Sequence, residues 1–360
     1  MPFLEKGLVK DNKGEWVNAE DAKKLKDGWL KQDTTWVAPN EKENIEKGLW
    51  KCGDKWLSLA EANDYHKELW QWWQIPGKHY TLWTTCERKL ATEKVLKNLD
   101  LAWDDLEKCY GYTPQTPPQV IILRDKAAYE SFAAGDQDEQ RPPTESHGLS
   151  SVHYAFFADV AVDPVSEELV QCGVSYWDDS STEEQRWSLL RTRHALGQSF
   201  GEAVDPSPKA NEKAKKDRKF DAKAFYDEKR VPTWFRWGSA AYAERYFTDI
   251  TVVQGGDAYW ARKWSTQNIA GRGGLRPLKQ VFEHEPKNEN GEDTQKWINE
   301  SGLMLAFCVD GRCQPVSDRL KALQQALLAG KDKKEITTLA NQLQEEIGKH
   351  ETDLRKFASL

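Results

Sequence analysis

The chain has 360 residues, a length that on average accommodates two domains, and its 58 acidic against 51 basic residues leave a net charge of −7. That balance argues against general nucleic-acid or anionic-membrane binding. The 17 Trp, 11 Tyr and 12 Phe supply enough apolar bulk for folded cores, which excludes disorder over the whole chain. No apolar run reaches the roughly 18–20 residues needed to span a bilayer. The start, Met1-Pro2-Phe3-Leu4-Glu5-Lys6, shows no signal-peptide pattern. A cytoplasmic location is therefore favoured, with an extracytoplasmic one open if a leader has been removed.

Residues 1–64 repeat. Gly7-Leu8-Val9-Lys10 recurs as Gly28-Trp29-Leu30-Lys31 and as Gly48-Leu49-Trp50-Lys51, and each is followed by a Trp-apolar pair: Trp16-Val17, Trp36-Val37 and Trp56-Leu57. Within each unit two short apolar stretches flank a polar turn, which predicts a β-hairpin, and the charged segment after it suits a short helix. Such small units hold a core only by packing together or against the main domain. The tryptophans have two readings. They are the glue of these small cores, or Trp16, Trp29, Trp36, Trp50 and Trp56 form a candidate surface for a protein, peptide or sugar partner.

Residues 65–76, with Glu68-Leu69-Trp70-Gln71-Trp72-Trp73-Gln74-Ile75, read as a connector. Strand and helix patterns then alternate. Strands are expected at 80–85, 119–123, 152–162 and 170–177, helices at 87–109 and 126–133, and a polar loop at 134–148. After Ser180 the pattern is helical to the end, with Gly330 as a stop between the helices of the tail. The class is α+β, with helices segregated behind a sheet.

Two helical segments carry the most specific signal: Trp187-Ser188-Leu189-Leu190-Arg191-Thr192-Arg193-His194-Ala195-Leu196-Gly197-Gln198-Ser199-Phe200, and Val231-Pro232-Thr233-Trp234-Phe235-Arg236-Trp237-Gly238-Ser239-Ala240-Ala241-Tyr242-Ala243-Glu244. Together they resemble the gluzincin metallopeptidases, in particular bacterial peptidase MA-like domains. In that family an H-E-x-x-H helix is followed by a helix of the form P-x-W-x-x-E-G-x-A-x-Y. The resemblance covers residues 77–360 and implies a zincin-like domain with a mixed sheet and a mainly helical C-terminal half.

Histidines four apart on a helix face one way and bind zinc, a glutamate from the second helix completes the ligands, and the glutamate after the first histidine is the general base. Carried across, His194 matches the first ligand, while Ala195 stands at the base, Gln198 at the second histidine and Trp237 at the ligating glutamate. An alanine takes no proton, an amide is a poor zinc ligand and an indole offers no lone pair. The resemblance thus implies a pseudopeptidase: no catalytic residue, no metal, no cofactor, and a role as scaffold or protein/peptide-binding component. The alternatives are Trp-mediated binding of peptide or carbohydrate, and an active zinc peptidase.

Glu202, eight residues after His194, and Glu244, seven after Trp237, share helix faces with those residues, but acidic residues on helices are usually solvated. Trp237 is expected to point at His194 and Gln198 and to fill the former metal position, under a cleft left partly open. The charged stretch 205–230, with nine basic and six acidic residues, reads as a solvated loop or exposed helix. Gly271-Arg272-Gly273-Gly274 reads as a turn. Among six cysteines only Cys308 and Cys313 are close in sequence, and no second pair is placed to make a zinc knuckle with them.

Overall fold

The computed structural model describes residues 8–10, 16–69, 71–114, 117–134, 156–162, 169–217, 227–244, 269–284 and 291–358. Three hairpins open the chain: β1 (Leu8–Lys10) with β2 (Trp16–Asn18), β3 (Leu30–Gln32) with β4 (Thr35–Val37), and β5 (Trp50–Cys52) with β6 (Lys55–Leu57). Each is followed by a helix, α1 (Ala19–Lys26), α2 (Lys42–Glu46) or α3 (Leu59–His66). The second and third hairpins close through two-residue turns whose first residues, Asp33 and Gly53, have φ of 54° and 59°. That left-handed geometry matches the twist of the strands, and Asp tolerates it better than most side chains. Ser58 caps α3 in a full capping box with Glu61. The units are tied in series, since Gln32 donates to Leu49 O at 2.8 Å and accepts from Lys51 N at 3.0 Å.

The main sheet is mixed, in the order β10-β11-β9-β8-β7. Its central strands β8 (Thr81–Thr84), β9 (Gln119–Leu123) and β11 (Leu169–Tyr176) are parallel, and β7 (Trp73–Pro76) and β10 (Phe156–Val162) pair antiparallel at the two edges. Trp73–Pro76 falls in the stretch expected as a connector, yet it is a sheet strand. Trp73 and Ile75 are buried while Gln74 and Pro76 are not, an alternation that four residues are too few to reveal amid so many aromatics. Of the loop expected at 134–148, Ala134 is instead the last residue of a helix, and the remainder lies outside the described residues, as does the beginning of the expected strand, 152–155.

Between β8 and β9 the chain runs through α4 (Arg88–Leu90), a π-helical turn at Ala91–Val95, and α5 (Leu96–Tyr110), which ends at Gly111 with φ 76°. The short α6 (Lys126–Ala134) follows β9. The helical half comprises α7 (Thr182–Val204), α8 (Pro208–Asp217), α9 (Thr233–Ala243), α10 (Leu278–Glu283), α11 (Gly291–Asp310), α12 (Gln314–Leu328), α13 (Lys333–Lys349) and α14 (Glu351–Ala358). Gly330, with φ 67°, ends α12 as its sequence position implies. Among the described residues no helix is long and apolar enough to cross a membrane.

Glycine sets the depth of the helix stack. A Cβ added to Gly173 on β11 would land on the backbone carbonyl of Ala195, so α7 lies backbone-to-backbone on the sheet. On the other side of α7, a Cβ at Gly197 would come within 2.5 Å of Ala240 Cα on α9, and one at Gly238 within 2.6 Å of Ser301 O on α11. Removing the side chain at each crossing lets α7, α9 and α11 approach closely. Every side chain caught between them is excluded from water.

Candidate functional site

The close crossing of α7 and α9 brings His194, Gln198 and Trp237 together. They are 0, 1 and 2% exposed, and the His194 and Trp237 ring centres lie 5.5 Å apart at an interplanar angle of 49°. The convergence expected from the motif is present. Among the described residues the closely packed helices close all three side chains off from solvent. Ala195, at 0%, is pressed against β11 by the Gly173 contact.

The group that the sequence reading undervalued is Glu244. It is 3% exposed and its Oε1 meets His194 Nδ1. Lying two turns beyond Trp237 places it on the same face of the chain's path, which was the available signal; what misled was the general solvation of acidic residues. Gln198 Nε2 donates to His194 Nε2 at 3.2 Å, so Nε2 carries the lone pair and Nδ1 the proton given to Glu244. A carboxylate that accepts from Nδ1 and so fixes the tautomer is the arrangement by which metal-binding histidines are usually oriented. Burial pushes the Glu244 carboxyl above its ordinary range, and the neighbouring His194 partly offsets this.

This donor set does not fit zinc. It offers one imidazole nitrogen, whose partner is an amide N–H, together with a carboxylate committed to the other ring nitrogen and an indole. Trp237 packs on Trp297, with ring centres 6.1 Å apart, and its Nε1 is buried without a hydrogen-bond partner. Among the described residues the contacts of the cluster are ring packing and hydrogen-bonded orientation.

A second buried polar group lies one turn further along α7. Glu202 pairs with Lys229 and lies 3.5 Å from Arg236, while Asp205 holds Arg230 at 2.8 Å and the backbone N–H of Val231 at 2.9 Å. The stretch 205–230 is thus not a solvated segment throughout. Its exposed portion includes Lys209, Glu212 and Lys216, but Asp205, Ser207 and Lys229 at its two ends are buried. The ends are held because α9 must start at a fixed place on α7. Burial lowers the Lys229 ammonium to about 8, with Glu202 pulling the other way.

The candidate tryptophans separate. The Trp16 ring lies outside the described part of the structure. Trp29, Trp36, Trp50 and Trp56 are each half-buried. Trp56 Nε1 donates to Glu41 at 3.2 Å, Trp36 lies beneath Lys24 and Lys31, and Trp50 meets Trp73 edge-on at 5.2 Å with the Arg88 guanidinium 4.0 Å above its ring. Arg88 also forms a two-pronged pair with Asp33 of the second hairpin turn. Trp36 and Trp50 meet, with Trp72 and Trp73, on a cavity of about 540 Å³ between the repeats and the sheet edge. Sequence reading reached the first two rings by their repeat spacing and assigned the last two to a connector.

Gly273 and Gly274, with φ of 86° and 80°, form a turn, and none of the six cysteines is joined in a disulfide. Among the described residues one group of metal-type donors lies close together, Cys313, His350 and Asp353, and is distinct from the His194 cluster. Its histidine is already engaged by Asp353 at 3.0 Å and Glu346 at 3.6 Å. Comparison of the chain with protein-family models, curated proteins and solved structures finds no match.

Proposed function

We propose that the chain is a non-catalytic, gluzincin-like protein that serves as a scaffold or as a protein- or peptide-binding component. The observation that carries this reading is the His194 cluster. The positions that match the family's ligands converge, and His194 keeps the carboxylate-oriented tautomer of a metal ligand. Gln198 and Trp237 nevertheless close the place where an ion belongs. The fold supports the same reading with its mixed sheet and a helical half stacked behind it. Metal analysis of the wild type beside His194→Ala tests it. Neither protein is expected to hold His194-dependent zinc after dialysis; one equivalent present in the wild type and lost from the variant overturns the proposal.

A second reading is favoured by the aromatic cavity at the sheet edge, which suits a peptide or a carbohydrate stacked on indole rings. Tryptophan emission titrated with peptide and glycan panels tests it. A change with one panel that is lost in Trp36→Ala supports this reading, and a flat response to both removes it.

A further inference from the structure

Helices α12 and α13 form an antiparallel pair joined at Gly330, and Arg319 donates to Gln342 across it at 3.1 Å. The end of the pair away from that turn is where α12 begins and α13 gives way to α14. Cys313 at the start of α12, His350 at the end of α13 and Asp353 in the first turn of α14 meet there. Each offers one metal-type donor atom, and these atoms lie within 4.8 Å of one another. Glu346, on the same helix face as His350 one turn earlier, places its Oε1 3.6 Å from His350 Nε2. The group shares no residue with the His194 cluster and is independent of how that cluster is read.

The donors stand on fixed parts of the fold. The His350 backbone N–H donates to Glu346 O at 3.2 Å, and its carbonyl accepts from Leu354 N at 2.9 Å. The Cys313 carbonyl accepts from Ser317 N at 3.0 Å. Val316, Ile347 and Leu354, their neighbours in sequence, are 0% exposed within the main core. Cys313 is 9% exposed, and its sulfur makes no hydrogen bond with a described residue. Asp353 has no lysine or arginine partner among the described residues; its contact is His350 Nδ1 at 3.0 Å. Lys349 is committed to the other oxygen of Glu346, at 3.1 Å. A thiol, an imidazole and two carboxylates with one lysine between them are short of positive charge.

The donor types select the cation. Sulfur and imidazole favour zinc, whereas calcium and magnesium take oxygen ligands. Nitrogen and oxygen ligands of a tetrahedral zinc stand about 3.3 Å apart, near the 3.0 Å between His350 Nδ1 and Asp353 Oδ2. A carboxylate also faces each ring nitrogen, so whichever nitrogen meets an ion, the N–H at the other has an acceptor beside it. We propose that Cys313, His350 and Asp353 bind a zinc ion, with Glu346 or water in the fourth position. The ion staples the start of α12 to the joint between α13 and α14, two places that the chain otherwise connects only through the turn at Gly330.

Cobalt and zinc titrations of the full chain, kept reduced, test this. Cobalt is expected to give the near-ultraviolet charge-transfer band of a metal–thiolate bond, saturating at one equivalent, and one equivalent of zinc should bleach it. Zinc at a hundredfold excess over its dissociation constant should raise the melting temperature by roughly 5 °C, and calcium should not. Cys313→Ser should abolish the thiolate band, and His350→Gln and Asp353→Asn should each weaken zinc at least tenfold. Dependence on Cys313 separates this zinc from any held by His194. Cys308→Ala should leave binding intact, which separates the site from a Cys308–Cys313 dithiol. If Cys313→Ser melts early, His350→Gln/Asp353→Asn takes its place, with loss of the band expected. The absence of a thiolate band at millimolar cobalt overturns the proposal. Calcium binding as tightly as zinc overturns it too, by reducing the group to an acidic patch. So does zinc binding that Cys308→Ala abolishes or that the His350 and Asp353 variants leave unchanged.

Discussion

Replacing Gln198 by His and Trp237 by Glu puts two zinc donors beside His194, whose Nε2 already faces position 198 at 3.2 Å from the amide it would lose. Without metal the change is costly. Trp237 is 2% exposed, and removing a buried Trp side chain costs about 3–5 kcal/mol for lost packing and the void it leaves. A buried carboxylate without a partner adds to this. At roughly 2 °C per kcal/mol for a chain of this size, the apo double variant should melt roughly 5–10 °C below the wild type. Zinc at a thousandfold excess over its dissociation constant adds about 4 kcal/mol to the folded state, enough to recover most of the loss. The assay is a pair of thermal melts, with and without zinc, and Gln198→His alone as the control that keeps Trp237 in place. The wild type should not respond through this site. If the double variant retains its circular dichroism spectrum and zinc leaves its melting temperature unchanged, the two helices do not present a former metal site and the gluzincin reading fails with it.

Glu244→Gln keeps a hydrogen-bonding group on His194 without a buried charge. The wild-type carboxyl is held above its ordinary value by burial, so its contribution weakens as pH rises from about 4.5 upward. The Gln variant should lack that acid-side dependence and cost less at neutral pH than Glu244→Ala, as urea midpoints across pH will show. For Lys229 the sign is opposite on the alkaline side. Its folded value of about 8 lies below the ordinary 10.5, so the unfolded chain binds the extra proton between them and stability gains with pH over that window. Lys229→Met should remove this gain relative to the wild type. Gly173→Ala forces a methyl group onto the Ala195 carbonyl and should cost more than about 3 kcal/mol or prevent folding, whereas Gly348→Ala, with nothing within 4 Å, should be neutral or slightly stabilising. Arg88→Ala removes the stack on Trp50 and the pair with Asp33, so limited proteolysis should cut the repeats first while the helical half stays intact.

The hairpin repeats were legible because their signal is local: a Gly-apolar start, a polar turn and a Trp-apolar return at a period of about twenty residues need no distant partner to be recognised. The long helices, the stop at Gly330 and the parallel strand Gln119–Leu123 were legible for the same reason, since the period of apolar residues reports a local geometry. The convergence of His194, Gln198 and Trp237 was also foreseeable, though only through the spacing of two helical motifs. What tertiary structure decided is burial. Gly173, Gly197 and Gly238 gain their meaning from the backbone on the far side of each contact, which lies anywhere from about twenty to more than sixty residues away. Once they let α7, α9 and α11 close together, Glu244, Glu202, Lys229 and Arg193, ordinary surface residues by type, are taken out of water. A charged side chain in a sequence carries no mark of the dielectric it will meet, because that is set by residues from other parts of the chain.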